Sequence, residues 1–490
     1  MKHVLQKICS MLLCAVMICS MLPFSAYASF EIPGSCQVQT DSGASRTVKT
    51  LDYGYGHNTY YSLRDIAMIL GGTDKSFSLE VAKDTVSLNP ENSYVPVGGE
   101  NAPWEDSENP DISLRRNKFH VNGQTVYYYT LIAQLPSGFY DCFMMAADLG
   151  MILNMNITAP SAGSLQIDTQ NPFGISPASL EQSGYFYGVN SVLVGDATTG
   201  EIYYRYQSDT SYPIASTSKL MTYLLTMDAI SAGQITLDEQ VTISDSVQLL
   251  ADSSDGVLPL EAGAQITVRE LLLGMLLPSS NECALCLAEL TAGSEEAFVQ
   301  RMNQKALEIG LSQAVFFNSH GLPSYTEEPI PSKRQNRMSA EDMFRLTSYL
   351  LSVYPQITNT TSLKSATLES LDGIEVRNTN PLLYNLPEAT GLKTGTTNRA
   401  GACLVTSLAA DDGNMEHDLI VIVFGTEDSI ERGRVSGLLA RYALNTFYGG
   451  AEDAETGTSG QTPRPLPTHA ETAIDWILRT AKKQEPAAGY

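Results

Sequence analysis

Strand-like sequence stands at both ends of residues 191–446, and helix-like sequence fills the middle. Ser191 to Gly195 and Glu201 to Tyr206 flank a turn at Asp196-Ala197-Thr198-Thr199-Gly200 and read as a β-hairpin. Cys403 to Leu408 and Leu419 to Phe424 flank the polar turn Asp411-Asp412-Gly413-Asn414. Between these pairs the apolar spacing becomes helical. One helix is expected from Ser216 to about Ile230, with Leu220, Leu224 and Met227 on its apolar side. Thr267-Val268-Arg269-Glu270 is a capping box that opens another, and a further helix starts near Asn281. Glu295 to Ile309 stops at Gly310, Ser339-Ala340-Glu341-Asp342 begins the next, and Ile430 to Thr446 is the last. Strands at both ends with helices inserted between them imply an α+β architecture.

The whole chain is longer than that unit. Its 490 residues predict two or three domains. In residues 1–28, Lys2 and Lys7 precede an apolar run from Ile8 to Phe24, and Ala26-Tyr27-Ala28 follows; this reads as a secretory signal peptide. Residues 29–170 hold short alternating apolar runs broken by Gly, Asn and Pro, which predict a β-rich module with two short helices. A faint repeat runs through it. Tyr60-Tyr61, Ala67, Leu70 and Gly71 recur as Phe139-Tyr140, Ala146, Leu149 and Gly150, an offset of 79, so two related hairpin-and-helix units are expected to share one buried face. Residues 171–184 read as a linker, and residues 185–450 as the α+β unit. In residues 451–490 a Gly/Thr/Pro-rich stretch precedes Ala470, Ala473, Ile474, Ile477, Leu478 and Ala481, a short amphipathic stripe beside Trp476. That helix is brief and weakly basic, so any membrane association through it is expected to be weak.

Composition excludes several functions. The net charge of −24, with no basic run, repels phosphate backbones, so no nucleic-acid partner is expected. Beyond the signal segment remain Cys36, Cys142, Cys283, Cys286 and Cys403, an odd number that gives no complete disulfide framework. Cys283 and Cys286 form a CxxC one helical turn apart amid Ala and Leu, which suits small core residues. The six histidines show no metal-ligand spacing, and no metal or cofactor is expected.

Three short motifs carry chemistry. In Ser216-Thr217-Ser218-Lys219 a hydroxyl and an amine three residues apart share one helical face. Lysine can take a proton from that serine only if burial or nearby positive charge lowers its pKa. Ser279-Ser280-Asn281 follows Leu276-Leu277-Pro278: Ser279 can relay a proton to a leaving amine, and the Asn281 amide can hold the lysine. Lys393-Thr394-Gly395-Thr396 precedes a strand. Lys393 is the expected source of the positive charge, Gly395 lets the strand edge approach a ligand, and the hydroxyls of Thr394 and Thr396 can bind a carboxylate. The backbone N–H groups of Ser216 and Thr396 are the expected oxyanion donors.

Together the motifs resemble the D-alanyl-D-alanine carboxypeptidase family of low-molecular-mass penicillin-binding proteins. Asn318-Ser319-His320-Gly321-Leu322 and Ser339-Ala340-Glu341-Asp342-Met343 add to that resemblance, which covers about Gly188 to Tyr448. It implies a serine β-lactamase/DD-peptidase-like domain, an antiparallel sheet beside a helical subdomain. It also implies a secreted, extracytoplasmic enzyme acting on peptidoglycan stem peptides, at the cell wall or the outer face of the cytoplasmic membrane, with β-lactam antibiotics as covalent inhibitors. Ser216, Lys219, Ser279 and Asn281 would be catalytic, and Lys393, Thr394, Gly395 and Thr396 would bind substrate. Arg432 would match the family's second carboxylate-binding arginine, with Arg434 as a near competitor. Ser280 stands where much of the family has Gly, a change expected to act on site width. DD-endopeptidase action on cross-linked peptides, and wall or β-lactam binding with little turnover, are the alternatives. The phrase Tyr60-Tyr61-Ser62-Leu63-Arg64-Asp65-Ile66-Ala67 resembles copper amine oxidase N-terminal-like modules and implies no copper here.

Overall fold

The structure, a computed structural model, describes residues 32–448 except 42, 44, 54–57, 91, 103, 105–110, 122–123, 135–137, 159–163 and 326–332. The expected signal peptide and amphipathic C-terminal helix lie outside the described residues.

The front module is built twice from one unit. Strands β1 (Ile32–Thr40), β2 (Ser45–Tyr53) and β3 (Asn58–Ser62) lead to helix α1 (Leu63–Leu70) and strands β4 (Ser78–Val81) and β5 (Thr85–Asn89). The order then repeats: β6 (Asp111–Val121), β7 (Gln124–Gln134), β8 (Tyr140–Met145), α2 (Ala146–Leu153), β9 (Asn156–Thr158) and β10 (Ser164–Asp168). All ten strands form one sheet, with β3 and β8 paired antiparallel at its centre. The units exchange their ends: β5 pairs parallel with β6, and β10 pairs parallel with β1. The repeat expected from sequence is present, but its register differs. Asp65-Ile66 in α1 falls on Asp148-Leu149 in α2, and Ile69-Leu70 on Ile152-Leu153, an offset of 83, one helical turn from the expected 79.

The two equivalent aspartates have diverged in use. Asp65 stays inside the module, where its carboxylate accepts from the Lys49 N–H (2.7 Å) and the Asn101 N–H (2.8 Å). Asp148 points out of it and meets Arg434 of the α+β unit at 3.5 Å. Both partners are buried. Burial pushes the Asp148 carboxyl up to about 6, against the pull of Arg434. Arg434→Ala would leave that carboxylate buried without its cation. The substitution is expected to destabilise the protein by on the order of 3 kcal/mol in urea unfolding, and Asp148→Asn in the same chain to recover part of the loss.

The stretch expected to be a linker is packed: helix α3 (Pro177–Gln182) buries Leu180, and Phe173 before it is fully enclosed. Five strands then make the sheet of the α+β unit, β11 (Ser191–Asp196), β12 (Ile202–Tyr206), β13 (Ala389–Thr397), β14 (Gly401–Asp411) and β15 (Glu416–Thr426), all antiparallel in the order β12-β11-β15-β14-β13. Between β12 and β13 run α4 (Lys219–Ser231), α5 (Val268–Leu276), α6 (Asn281–Ala292), α7 (Glu295–Glu308) and α8 (Ala340–Val353). Helix α9 (Ser429–Phe447) covers the other face of the sheet. Alternate residues of β15 divide between the two sides: Ile420, Ile422 and Phe424 join the helical subdomain's core, and Leu419, Val421 and Val423 pack toward α9 and the module. A sheet covered on both faces needs apolar residues at every position, which is why β15 reads as an unbroken apolar run. This is the expected α+β architecture, an antiparallel sheet beside a helical subdomain. Among the described residues, no helix is long and apolar enough to cross a membrane.

Cys283 and Cys286 are enclosed in α6, and burial pushes the Cys286 thiol up to about 12. They are core residues, as their spacing amid Ala and Leu implied. Gly274 of α5 packs so close to Cys283 that a Cβ there would lie 2.7 Å from its sulfur.

Candidate active site

Ser216 sits on a tight 3-10 turn, Ala215–Ser218, that opens into α4 at Lys219. Sequence placed Ser216 on the α-helix itself. In either geometry residues three apart stand on one side, so the hydroxyl and amine meet. Lys219 is fully buried, with its Nζ 2.8 Å from each of three oxygens: Ser216 Oγ, Asn281 Oδ1 and the His320 carbonyl. Each anchor comes from a different segment. Asn281 is the first residue of α6, and its Nδ2 donates to the Asp255 carbonyl (2.8 Å), which turns Oδ1 toward the lysine. His320 lies in a loop organised by the Asn318 side chain, whose Oδ1 accepts from the Gly321 N–H (2.7 Å) and whose Nδ2 donates to the Leu322 carbonyl (2.7 Å).

Ser279 stands just ahead of α6 at φ +72°, in the left-handed region, and is part exposed. A non-glycine residue held there marks local strain. The next residue behaves differently from expectation. Ser280 is fully buried, its Oγ accepting from the Cys283 N–H (3.0 Å) to cap α6, so it points into the helix end and does not set the width of the site.

Strand β13 forms the opposite wall. At Gly395 it crosses the nucleophile turn so closely that a Cβ would lie 2.8 Å from the Ser216 nitrogen and 3.0 Å from Ala215 Cβ. Only glycine fits there. Lys393 is buried on the same strand with Nζ 3.2 Å from the Thr394 carbonyl, and Thr394 Oγ1 is 2.5 Å from Thr379 Oγ1. Thr396 is exposed, and Arg432 Nη1, from α9, donates to its Oγ1 at 3.2 Å. Arg432 faces β13, whereas Arg434 faces Glu431 and Asp148 at the module junction.

Burial governs the electrostatics. It pulls the Lys219 amine down to about 7, against the buried Glu282, which pushes it up. Lys393 was expected to cause that lowering, but desolvation is the leading cause. The Lys393 amine is itself held well below its ordinary range by burial and then by Lys219 and Arg432, and burial pulls Arg432 down to about 10. Three basic groups share this enclosed space, so an anion is its natural ligand. His320 is pulled down to about 3 by burial and by Lys219, and its Nδ1 accepts from the Leu322 N–H at 3.2 Å. It is neutral and holds its loop.

Glu282 was not singled out from the sequence. Its Oε1 accepts from the Val257 N–H (3.0 Å) and the Leu258 N–H, pinning the segment whose Asp255 carbonyl orients Asn281. The available signal was an acid inside the apolar run of α6. Thr379, which supports Thr394, carries no such signal.

A buried lysine on a serine hydroxyl, faced by a Lys-Thr-Gly strand edge, is an arrangement suited to serine acyl transfer. Residues 187–428 match the family described as D-alanyl-D-alanine carboxypeptidase. The chain is 36% identical over 259 residues to D-alanyl-D-alanine carboxypeptidase DacF of Bacillus subtilis, covering 52% of this chain and 62% of the relative. It is 33% identical over 222 residues to a D-alanyl-D-alanine endopeptidase of Pseudomonas aeruginosa, covering 44% and 65%. A crystal structure of a peptidoglycan synthesis regulatory factor (PBP3) from Streptococcus pneumoniae is similar at 32% identity and TM-score 0.47, over 52% of this chain and 71% of that one. The chain spans less than two thirds of the length of the curated relatives named here.

Proposed function

We propose that the protein is a secreted serine-type D-alanyl-D-alanine carboxypeptidase that removes the terminal D-alanine of peptidoglycan stem peptides through an acyl-Ser216 intermediate. The observation that carries this reading is the buried Lys219 amine 2.8 Å from Ser216 Oγ; burial lowers its pKa toward neutrality, so that it can serve as a base. Neutral Lys219 takes the hydroxyl proton as Ser216 attacks the carbonyl between the two D-alanines. The N–H groups of Ser216 and Thr396 stabilise the oxyanion, and Ser279 passes a proton to the leaving amine. Lys393, Thr394, Thr396 and Arg432 hold the carboxylate of the departing residue, with Gly395 giving it room; Asn281 fixes Lys219. Water then frees Ser216. A β-lactam, which carries a carboxylate beside a reactive amide, acylates the same serine and stays.

The front module, read as copper amine oxidase N-terminal-like, carries no catalytic step in this scheme. The strongly acidic chain takes no nucleic acid, and its contact with the membrane is weak. The test is release of D-alanine from a purified stem pentapeptide, followed by D-amino acid oxidase. One D-alanine per peptide is expected. A folded protein that binds penicillin covalently but releases none would favour the β-lactam-binding alternative.

A further inference from the structure

The front module grips α9, the helix that carries Arg432. Its helix α2 lies so close to α9 that a Cβ at Gly437 would stand 2.9 Å from Met151 Sδ. Farther along, Asn445 Nδ2 donates to Asn154 Oδ1 and to the Phe173 carbonyl, each at 2.8 Å. The hold nearest the site comes from β7, where the Tyr129 hydroxyl donates to Asp428 Oδ2 at 2.5 Å. Asp428 is the N-cap of α9. Its other carboxylate oxygen accepts from the Ile430 N–H (2.8 Å) and the Glu431 N–H (3.0 Å), and its carbonyl accepts from the Arg432 N–H (3.1 Å). A phenol of the module thus reaches the backbone of Arg432 through a single residue.

Arg432 depends on that helix for its place. In the site its Nη1 donates to Thr396 Oγ1 at 3.2 Å and to the Gly395 carbonyl at 3.5 Å, and its buried Nε has no hydrogen-bond partner. Both distances stand at or beyond the long end of the hydrogen-bond range, so the guanidinium is placed by α9 more than by β13. A planar guanidinium rewards close placement, because its paired N–H groups meet a carboxylate only in the right plane. Resting on the acyl-Ser216 reading above, we infer that Tyr129 is a positioning residue for carboxylate recognition: it fixes the cap of α9 and thereby sets Arg432 against β13. The front module then takes part in the site without touching the ligand. Its contact runs through one contiguous chain, from the Tyr129 hydroxyl to the Asp428 cap, the first turn of α9 and the Arg432 side chain. A module that served only as a spacer would have no need of this contact with the cap.

The experiment measures the second-order rate at which the whole protein is acylated by benzylpenicillin and by its methyl ester, in the parent, Tyr129→Phe, Arg432→Gln and the double variant. The ratio of acid to ester rates reads what the carboxylate contributes, whereas a general loosening of the fold lowers both rates together. Tyr129→Phe keeps the ring and leaves the cap bonds to Ile430 and Glu431 in place, so the protein is expected to fold. The ratio is expected to fall at least about fivefold in Tyr129→Phe and at least about tenfold in Arg432→Gln, and loss of the phenol to have no further effect once Arg432 is replaced. A ratio unchanged in Tyr129→Phe overturns the inference whatever the arginine variant does, as do acid and ester rates that fall together. An unchanged ratio in Arg432→Gln, or an equal fall from Tyr129→Phe in both backgrounds, also overturns it, since the phenol would then not act through Arg432. A folded parent acylated by neither compound overturns the acyl-Ser216 reading itself.

Discussion

Ser216→Ala is expected to release D-alanine from a stem pentapeptide at least about 10⁴-fold more slowly than the parent chain, because it removes the oxygen that forms the acyl intermediate. Two neighbouring hydroxyls are committed elsewhere. Ser218 Oγ donates to the Ala215 carbonyl at 2.9 Å, and Ser280 caps α6. The fold should survive, since among the described residues Ser216 Oγ is bonded to Lys219 alone and the lysine keeps Asn281 and the His320 carbonyl. An unchanged thermal midpoint with lost activity is the expected pair of results. Activity within a hundredfold of the parent would mean that another group is the nucleophile.

Lys219→Met is expected to lower acylation about 10³-fold, the usual contribution of a positioned general base. The methionine keeps the chain's bulk in the buried site, so packing changes little. The pH dependence of the parent gives an independent readout. An ordinary lysine amine is neutral at pH 7 in roughly one molecule in 3,000, whereas one with its pKa near 7 is neutral in about half. The base works only when unprotonated, so kcat/KM should rise with pH, climb tenfold per unit below about 7, and level off above it. In Lys219→Met that acid limb should vanish. A limb retained in the variant would assign the titration to another group.

Much of this site was legible in the chain because its chemistry is local. Ser216 and Lys219 meet through a single turn, and Ser279 and Asn281 flank one helix start, so short spacing carried the geometry. The remainder depends on how faces are turned in three dimensions. Arg432 and Arg434 are two residues apart on α9 and therefore on nearly opposite sides of it. Sequence shows that they diverge, but only the packed fold shows which side meets β13. Ser280 looked like a change in site width, yet its hydroxyl satisfies the end of α6. Burial or a neighbouring cation could lower Lys219, with Lys393 the expected cation; burial is the leading cause, and burial cannot be read from spacing. The module's repeat slipped by one helical turn for a related reason: a shift of four residues keeps the same face of a helix inward, so apolar periodicity tolerates it. Pairing of the strands, with Tyr60 opposite Met145, fixes the true register. Likewise the residues 171–184, rich in Pro, Ser and Gly, suggested a slack connector, although Phe173 and Leu180 bury them against the core shared by module and enzyme.

The convergence of Ser216, Lys219 and the Lys393–Thr396 strand is tested most directly by peptide mapping after brief exposure of the whole protein to benzylpenicillin. One adduct with the mass of the intact antibiotic is predicted, on Ser216, and none in Ser216→Ala. No adduct on a folded parent chain, or an adduct on any other residue, would contradict it.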